Sequence, residues 1–374
     1  MPEGRKKNIC ILLCVLCVFL AYFAVKKIVI MDNSENKKRS INDFGKFGLI
    51  NHLTKNVKIN NKTTIEGIGD DSAVIDSGKN LTLVSTDLLL EGIHFNLIYT
   101  PLKHLGYKAV MRAISDIYAM NGIPGQVMIA LGISSKFTLE HVEDLYEGIV
   151  LACEKYNVDL AGGDITSSLT GMTIGVTAIG SVEKNNIVKR NGAKPNDLIC
   201  VTGDFGAAFM GLQLLERERK LFEKEKVEQP DLSGFEYVIG RQLKPEIPVS
   251  VINELKKEAI IPTSMIDVTD GLASDLIHIC RLSDTGCRIF YSKVPIDYET
   301  IRVAEEFNID QIIPALNGGE DYEMLFTVPL ELLDKIKSIE SVKVIGHMTS
   351  SGSGYYIVGD DGSEVVISAQ GWKD

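Results

Sequence analysis

The sequence predicts an α/β protein of two domains, and three observations carry that expectation. Apolar segments of strand period alternate with segments of helical period from residue 41 to the C-terminus, the pattern of strands covered by helices. A chain of 374 residues, 45% hydrophobic and 24% charged, has ordinary globular composition and enough length for two cores of roughly 100–200 residues each. Near residue 190 the pattern restarts: Lys194-Pro-Asn-Asp197 leads into a new apolar run. The expected organisation is therefore an N-terminal extension over 1–40, a first domain over 41–190 and a second over 191–374.

Residues 81–86, LTLVST, read as a strand from their alternation and β-branched content, with Asp87 at its end. Residues 107–120 and 139–156 carry apolar side chains at helical spacing. Residues 172–182 and the run from Ile187 onward read as strands separated by a turn at Asn185-Asn186, and 198–201 as a further strand. Residues 216–228 mix both charges densely and read as a solvated helix on a surface elaboration, ending in a loop at Gln229-Pro-Asp. The second half continues as helix, strand, helix and strand to a tail ending Gly371-Trp372-Lys373-Asp374. Strand order cannot be read from such a pattern.

Residues 9–25 are almost wholly apolar and lie between Arg5-Lys6-Lys7 and Lys26-Lys27, at the lower limit for a helix that crosses a bilayer. The excess of basic residues after the run (Lys26, Lys27, Lys37, Lys38, Arg39) places the main body on the cytoplasmic side. Two readings stay open: a membrane tether through 9–25 if translation starts at Met1, or an ordinary polar N-terminus if it starts at Met31. Of seven cysteines, three fall in this run, and the other four show no zinc-type pairing, so a reducing compartment is expected.

A net charge of −11 argues against nucleic acid as a partner, because phosphate backbones are bound by clustered Lys and Arg. Nucleotide phosphates remain compatible with an acidic chain if divalent cations bridge them to carboxylates. The acids sit where such bridging is expected. Asp70 and Asp71 follow Gly67-Ile-Gly69, Asp116 lies in an apolar helix, Asp164 follows Gly162-Gly163, and Asp267 and Asp270 frame a strand-to-helix junction. Glu320 and Asp321 follow Gly318-Gly319. Mg²⁺ takes oxygen ligands shared with substrate phosphates, and glycines let backbone approach a phosphate. The blander account of any single acid is a turn former or helix cap. Asp116 resists it, because a carboxylate on an apolar helix needs a partner or a metal. Thr202-Gly-Asp-Phe-Gly206 has the look of a phosphate-cradling turn, but no G-x-x-x-x-G-K-[ST] motif and no protein-kinase signature occurs.

Taken together, Gly67-Ile-Gly-Asp-Asp-Ser-Ala73, Ser85-Thr-Asp87, Glu91-Gly-Ile-His-Phe95, Ser115-Asp-Ile117 and Ala161-Gly-Gly-Asp164 occur in the order found in thiamine-monophosphate kinases. So do Arg190-Asn-Gly-Ala-Lys-Pro195, Val201-Thr-Gly203, Ile266-Asp-Val-Thr-Asp-Gly-Leu272, Gly318-Gly-Glu-Asp-Tyr-Glu323 and the final Gly371-Trp372. The chain resembles that family from residue 44 to the end. Single pieces are shared with aminoimidazole ribonucleotide synthetase, selenophosphate synthetase and a hydrogenase-maturation protein.

The resemblance implies a two-domain aminoimidazole-ribonucleotide-synthetase-like α/β fold, with N-terminal domains pairing in a homodimer and ATP held between elements of both domains. It implies that Asp71, Asp87, Asp116, Asp164, Asp267 and Asp270 hold Mg²⁺ ions, with Ser85 and Thr86 adding oxygen ligands and Asp70 beside the cluster. Asp87, Asp116 and Asp270 would be the catalytic members. Gly163, Asp164, Arg190 and Thr269 would contact ATP; His94, Glu320 and Trp372 would contact thiamine monophosphate, an aromatic face suiting a cationic ring. The expected reaction is direct in-line transfer of the γ-phosphoryl group to thiamine monophosphate, forming thiamine diphosphate, in the cytoplasm. No nucleophilic His or Cys accompanies the motifs, which argues against a phosphoenzyme. The competing readings are a synthetase of the same superfamily with another acceptor, and a protein that binds thiamine phosphates or nucleotides without turnover. The reactive Cys of the selenide enzymes and the C-terminal Cys of the maturation protein have no counterpart here.

Overall fold

The computed structural model describes residues 45–225 and 232–369. Two sheets divide the chain. The first has the order β1-β2-β3-β6-β4-β5, from β1 (Thr64–Glu66), β2 (Ala73–Asp76), β3 (Asn80–Leu90), β4 (Ile123–Ile133), β5 (Asp159–Ser167) and β6 (Thr173–Glu183). All its neighbours are antiparallel except β4 and β5. The second has the order β13-β12-β9-β11-β7-β10-β8, from β7 (Leu198–Thr202), β8 (Ser264–Asp267), β9 (Gly286–Phe290), β10 (Met324–Val328), β11 (Val342–Thr349), β12 (Tyr355–Val358) and β13 (Glu364–Val366). Only β9 and β12 run parallel there.

After the short α1 (Gly45–Thr54), the chain's central helix is α2 (Leu102–Ala119). It lies on β3 and β6 of the first sheet and reaches β8 of the second. Strand β6 alternates strictly, so Ile174, Val176 and Ala178 point at α2 while their neighbours do not. Leu105, Val110, Met111, Ile114 and Ile117 are fully buried on that side, each stabilising by roughly 1.5–3 kcal/mol relative to exposure. Helix α3 (Leu139–Tyr156) crosses α2 closely because glycines face each backbone: a Cβ on Gly106 would sit 2.0 Å from the Leu145 carbonyl oxygen, and one on Gly148 would sit 1.8 Å from that of Lys103.

Helices α4 (Ala207–Glu225), α5 (Glu236–Leu243), α6 (Val249–Lys257), α7 (Leu272–Ser283), α8 (Tyr298–Glu306), α9 (Ile312–Asn317) and α10 (Leu333–Lys337) accompany the second sheet. Three sequence expectations need correction. Strand β3 does not end at Asp87; it runs to Leu90, because β6 continues to pair with it through Leu90↔Thr173. The run from Ile187 is not a strand. There the Lys189 carbonyl accepts from Met265 and Val188 N–H donates to the Met120 carbonyl, so the segment links the C-terminal end of α2 to β8 instead of joining a ladder. Glu216 is not on a surface elaboration, since its carboxylate accepts from Tyr99 at 2.9 Å and lines a cavity.

Among the described residues no helix is long and apolar enough to cross a membrane. The apolar run 9–25 and Trp372 lie outside the described residues.

Candidate active site

Helix α2 brings the chemistry together. Asp116 lies in its last turn, where the helix passes from β3 to β8. One carboxylate oxygen from each of Asp71, Asp116 and Asp267 lies within 4.8 Å of the others. Asp71 comes from the loop before β2 and Asp267 from the end of β8, and they are 8% and 2% exposed. Ser85 on β3 donates to Asp116, and Ser115 donates to Asp267 at 2.5 Å.

Three such carboxylates repel. Burial first, then Asp267, Asp87 and Asp71, hold the Asp116 carboxyl well above the usual carboxylate range. Burial and Asp71 push Asp267 up to about 7. Arg190 answers part of this charge through an ion pair with Asp71. Its backbone N–H also donates to Asp70 at 3.2 Å, and burial raises the Asp70 carboxyl. Behind Arg190, His278 stacks on Phe47 of α1 with ring centres 3.9 Å apart. Three oxygen donors that still crowd one another are the donor set a hard divalent cation requires, so the residues fit that group.

A cavity of about 310 Å³ lies alongside, lined by His94, Tyr99, Lys108, Glu216, Gly319 and Glu320 among others. His94 Nδ1 accepts from Leu90 N–H at 3.1 Å, which leaves Nε2 to carry the ring proton, and burial lowers its pKa. Glu320 accepts from Lys108 at 2.5 Å and from Arg112 at 2.9 Å. Burial raises its carboxyl, but Lys108 and Arg112 outweigh that and hold it ionised below the ordinary range.

The loop that presents Glu320 is unusual. Glu320 and Tyr322 both take left-handed backbone, at φ 58° and 55°, at a cost on the order of 1–2 kcal/mol each. Their N–H groups donate to Thr269 at 2.9 Å and Val268 at 3.0 Å, lacing this loop to the one after β8. The alternate residues face away: Arg241 on α5 bonds Glu323 at 2.9 Å, and Gly206 N–H donates to Asp321 at 3.2 Å. Burial pushes Asp321 up to about 8. Asp275 of α7 accepts from the N–H groups of Thr269 and Asp270 at 3.0 and 3.2 Å, shaping that second loop.

Three residues singled out by sequence lie elsewhere. The Thr86 side chain projects from β3 on the face opposite Ser85 and meets Thr177 at 3.2 Å, so its hydroxyl does not join the triad. Gly163 and Asp164 lie on β5, three strands from β3 or roughly 14 Å by strand spacing, and every residue of β5 is exposed. Gly163 has a local reason to be glycine, since a Cβ there would stand 1.9 Å from the Ile129 carbonyl oxygen of β4. Sequence reasoning passed over Lys108 and Arg112. They precede Asp116 by eight and four residues, so one face of an apolar helix carries all three. That spacing was the available signal.

Residues 69–182 match the family described as AIR synthase related protein, N-terminal domain. The thiamine-monophosphate kinase of Aquifex aeolicus (strain VF5) is 32% identical over 335 residues, covering 89% of this chain and 99% of that one. The chain belongs to the thiamine-monophosphate kinase family. The Bacillus subtilis (strain 168) member of the thiamine-monophosphate kinase family is 32% identical over 337 residues, covering 87% of this chain and 98% of its own. Among solved structures, one described as AaThiL complexed with AMPPCP and TMP superposes with a TM-score of 0.73 at 31% identity, over 88% of this chain and 97% of that one. A hydrogenase maturation protein, HypE, solved with ATP, shares the fold at 18% identity, with a TM-score of 0.62 over 87% of this chain and 96% of that one.

Proposed function

We propose that this chain transfers the γ-phosphoryl group of ATP to thiamine monophosphate, making thiamine diphosphate. The observation that carries the reading is a ligand-sized cavity, with an ionised Glu320 in its wall, opening beside a triad of crowded carboxylates. An ATP analogue and TMP accompany the solved relative AaThiL.

Asp71, Asp116 and Asp267 would hold divalent cations, Mg²⁺ in the cell, with Asp87 and Asp270 beside them and Ser85 adding a hydroxyl. The bound cations would supply charge neutralisation between donor and acceptor, which is the main requirement of phosphoryl transfer. The acceptor oxygen is already ionised at neutral pH, so no side chain needs to remove a proton from it. Glu320 offers a negative charge to the thiazolium, His94 offers an N–H from the same wall, and Trp372 would be a further contact for the same substrate. Arg190 and Thr269 would contact the nucleotide, and Lys108 and Arg112 hold the Glu320 carboxylate in place.

Gly163 and Asp164 belong to an exposed strand whose Leu160 and Ile165 are also exposed, at 37% and 59%. A homodimer formed through this edge would cover that apolar surface and bring the strand into a shared interface. The catalytic body is read as cytoplasmic, where both substrates occur.

The deciding experiment incubates a chain starting at Met31 with ATP, Mg²⁺ and thiamine monophosphate and separates the products. Thiamine diphosphate and ADP in equal amounts are expected; ADP alone would indicate another acceptor, and neither product a binding protein. Asp87→Ala and Asp116→Ala are expected to abolish turnover with the fold retained, and full activity in either would refute the metal assignment.

A further inference from the structure

Between the cavity and the carboxylate triad stands Arg112, one helical turn after Lys108 and one before Asp116. Its side chain is 16% exposed. Nε donates to Asp87 at 2.9 Å, and Nη1 donates to Glu320 at 2.9 Å and to the Tyr322 hydroxyl at 3.3 Å. Among the described residues none accepts from Nη2. The neighbouring cations are committed. Lys108 is spent on Glu320 at 2.5 Å and on the Gln242 carbonyl at 2.8 Å, and Arg190 is paired with Asp71.

Arg112 thus bonds the cavity wall on one side, through Glu320, and the acid cluster on the other, through Asp87, whose charge both Asp116 and Asp267 feel. A ligand whose rings fill the cavity and whose phosphate points toward the acids must carry that phosphate past this guanidinium. With Nε and Nη1 held by Asp87, Glu320 and Tyr322, the N–H groups of Nη2 are left to donate to phosphate oxygens, a charge-assisted contact that a guanidinium makes well. We propose that Arg112 is a specificity-determining residue that binds the acceptor's phosphate, so that the site prefers a phosphorylated thiamine to thiamine itself. The inference rests on the kinase reading above. The competing account makes Arg112 only a counter-ion for Asp87 and Glu320. That account predicts that its loss disturbs the cavity for both ligands alike.

The test is equilibrium binding by titration calorimetry on the full chain, without ATP, in EDTA and again in Mg²⁺. Thiamine monophosphate and thiamine are the two probes. The unaltered protein is expected to bind the monophosphate more tightly. Arg112→Gln is expected to weaken the monophosphate about tenfold or more, the loss typical of a charge-assisted hydrogen bond, and thiamine by less than about twofold. In turnover its KM for thiamine monophosphate rises while its KM for ATP holds. Undiminished preference in Arg112→Gln, or equal weakening of both probes, overturns the proposal. If Arg112→Gln does not fold, Arg112→Lys decides: a lysine keeps the charge but has no Nη2 to donate to the phosphate, so preference should fall several-fold, and an unchanged preference overturns it. Binding of neither probe by the unaltered protein would overturn the kinase reading along with it, whereas unchanged preference in the variants overturns the Arg112 assignment alone.

Discussion

Asp267→Asn should stabilise the metal-free protein while removing its activity. The side chain is 2% exposed, and burial with the nearby Asp71 pushes its pKa from 3.8 to about 7. A carboxyl whose folded pKa is raised binds its proton more tightly in the native state. Its stability contribution is complete below 3.8 and is lost as pH climbs through about 7. At about 1.4 kcal/mol per pH unit, that displacement sets a ceiling of about 4 kcal/mol above pH 7. The amide keeps the hydrogen bond from Ser115, because its carbonyl oxygen can accept in place of the carboxylate. The triad shares its protons and Arg190 offsets part of the cost, so a gain of about 2 kcal/mol at pH 8 is expected. Thermal unfolding of EDTA-treated protein at pH 5 and pH 8 measures it. The variant should lead by several degrees at pH 8 and by less at pH 5. Adding Mg²⁺ at pH 8 should raise the Tm of the unaltered protein more than that of the variant. An advantage that fails to grow with pH, or a variant less stable at pH 8, would refute the claim that these carboxylates repel one another in the empty site.

Lys108→Met leaves Glu320 with Arg112 as its one ion-pair partner among the described residues; stability should fall by about 3 kcal/mol, the low end for breaking a buried pair, and the KM for thiamine monophosphate should rise, checked by denaturant melts and initial rates. Gly163→Ala forces a methyl against the Ile129 carbonyl, so β5 should detach from β4, with faster amide exchange in both strands. Ile165→Asp, on the exposed face of the same strand, should shift sedimentation toward monomer without lowering the Tm of the monomer itself. Thr202→Val removes the donor at 2.6 Å to the buried Glu323 and the acceptor for Met324 N–H; a loss of roughly 1–3 kcal/mol is expected in urea melts.

Helices α2 and α3 were legible because their apolar residues recur at helical spacing, and β3, β6 and β7 because theirs alternate or are β-branched. The segment after Ile187 misled for the opposite reason. Its backbone bonds to Met120 and Met265, distant in sequence, and the same composition would have suited a ladder. Asp71, Asp116 and Asp267 were legible as acids beside glycines or on an apolar helix. That they meet within 4.8 Å was not, since they come from three elements up to 196 residues apart in numbering.

By itself the sequence determined the family and the α/β class and marked Asp71, Asp116 and Asp267 as acids to watch, because motif identity and short-range periodicity are local properties of the chain. Tertiary structure alone decided that Thr86 turns away from the triad and that Gly163 and Asp164 lie on an exposed edge. It also decided that Lys108 and Arg112 converge on Glu320. Those outcomes depend on which face of a strand is covered, which strand is outermost, and which loop a helix face meets. Each is fixed by packing between residues far apart in the chain, where no spacing rule reaches.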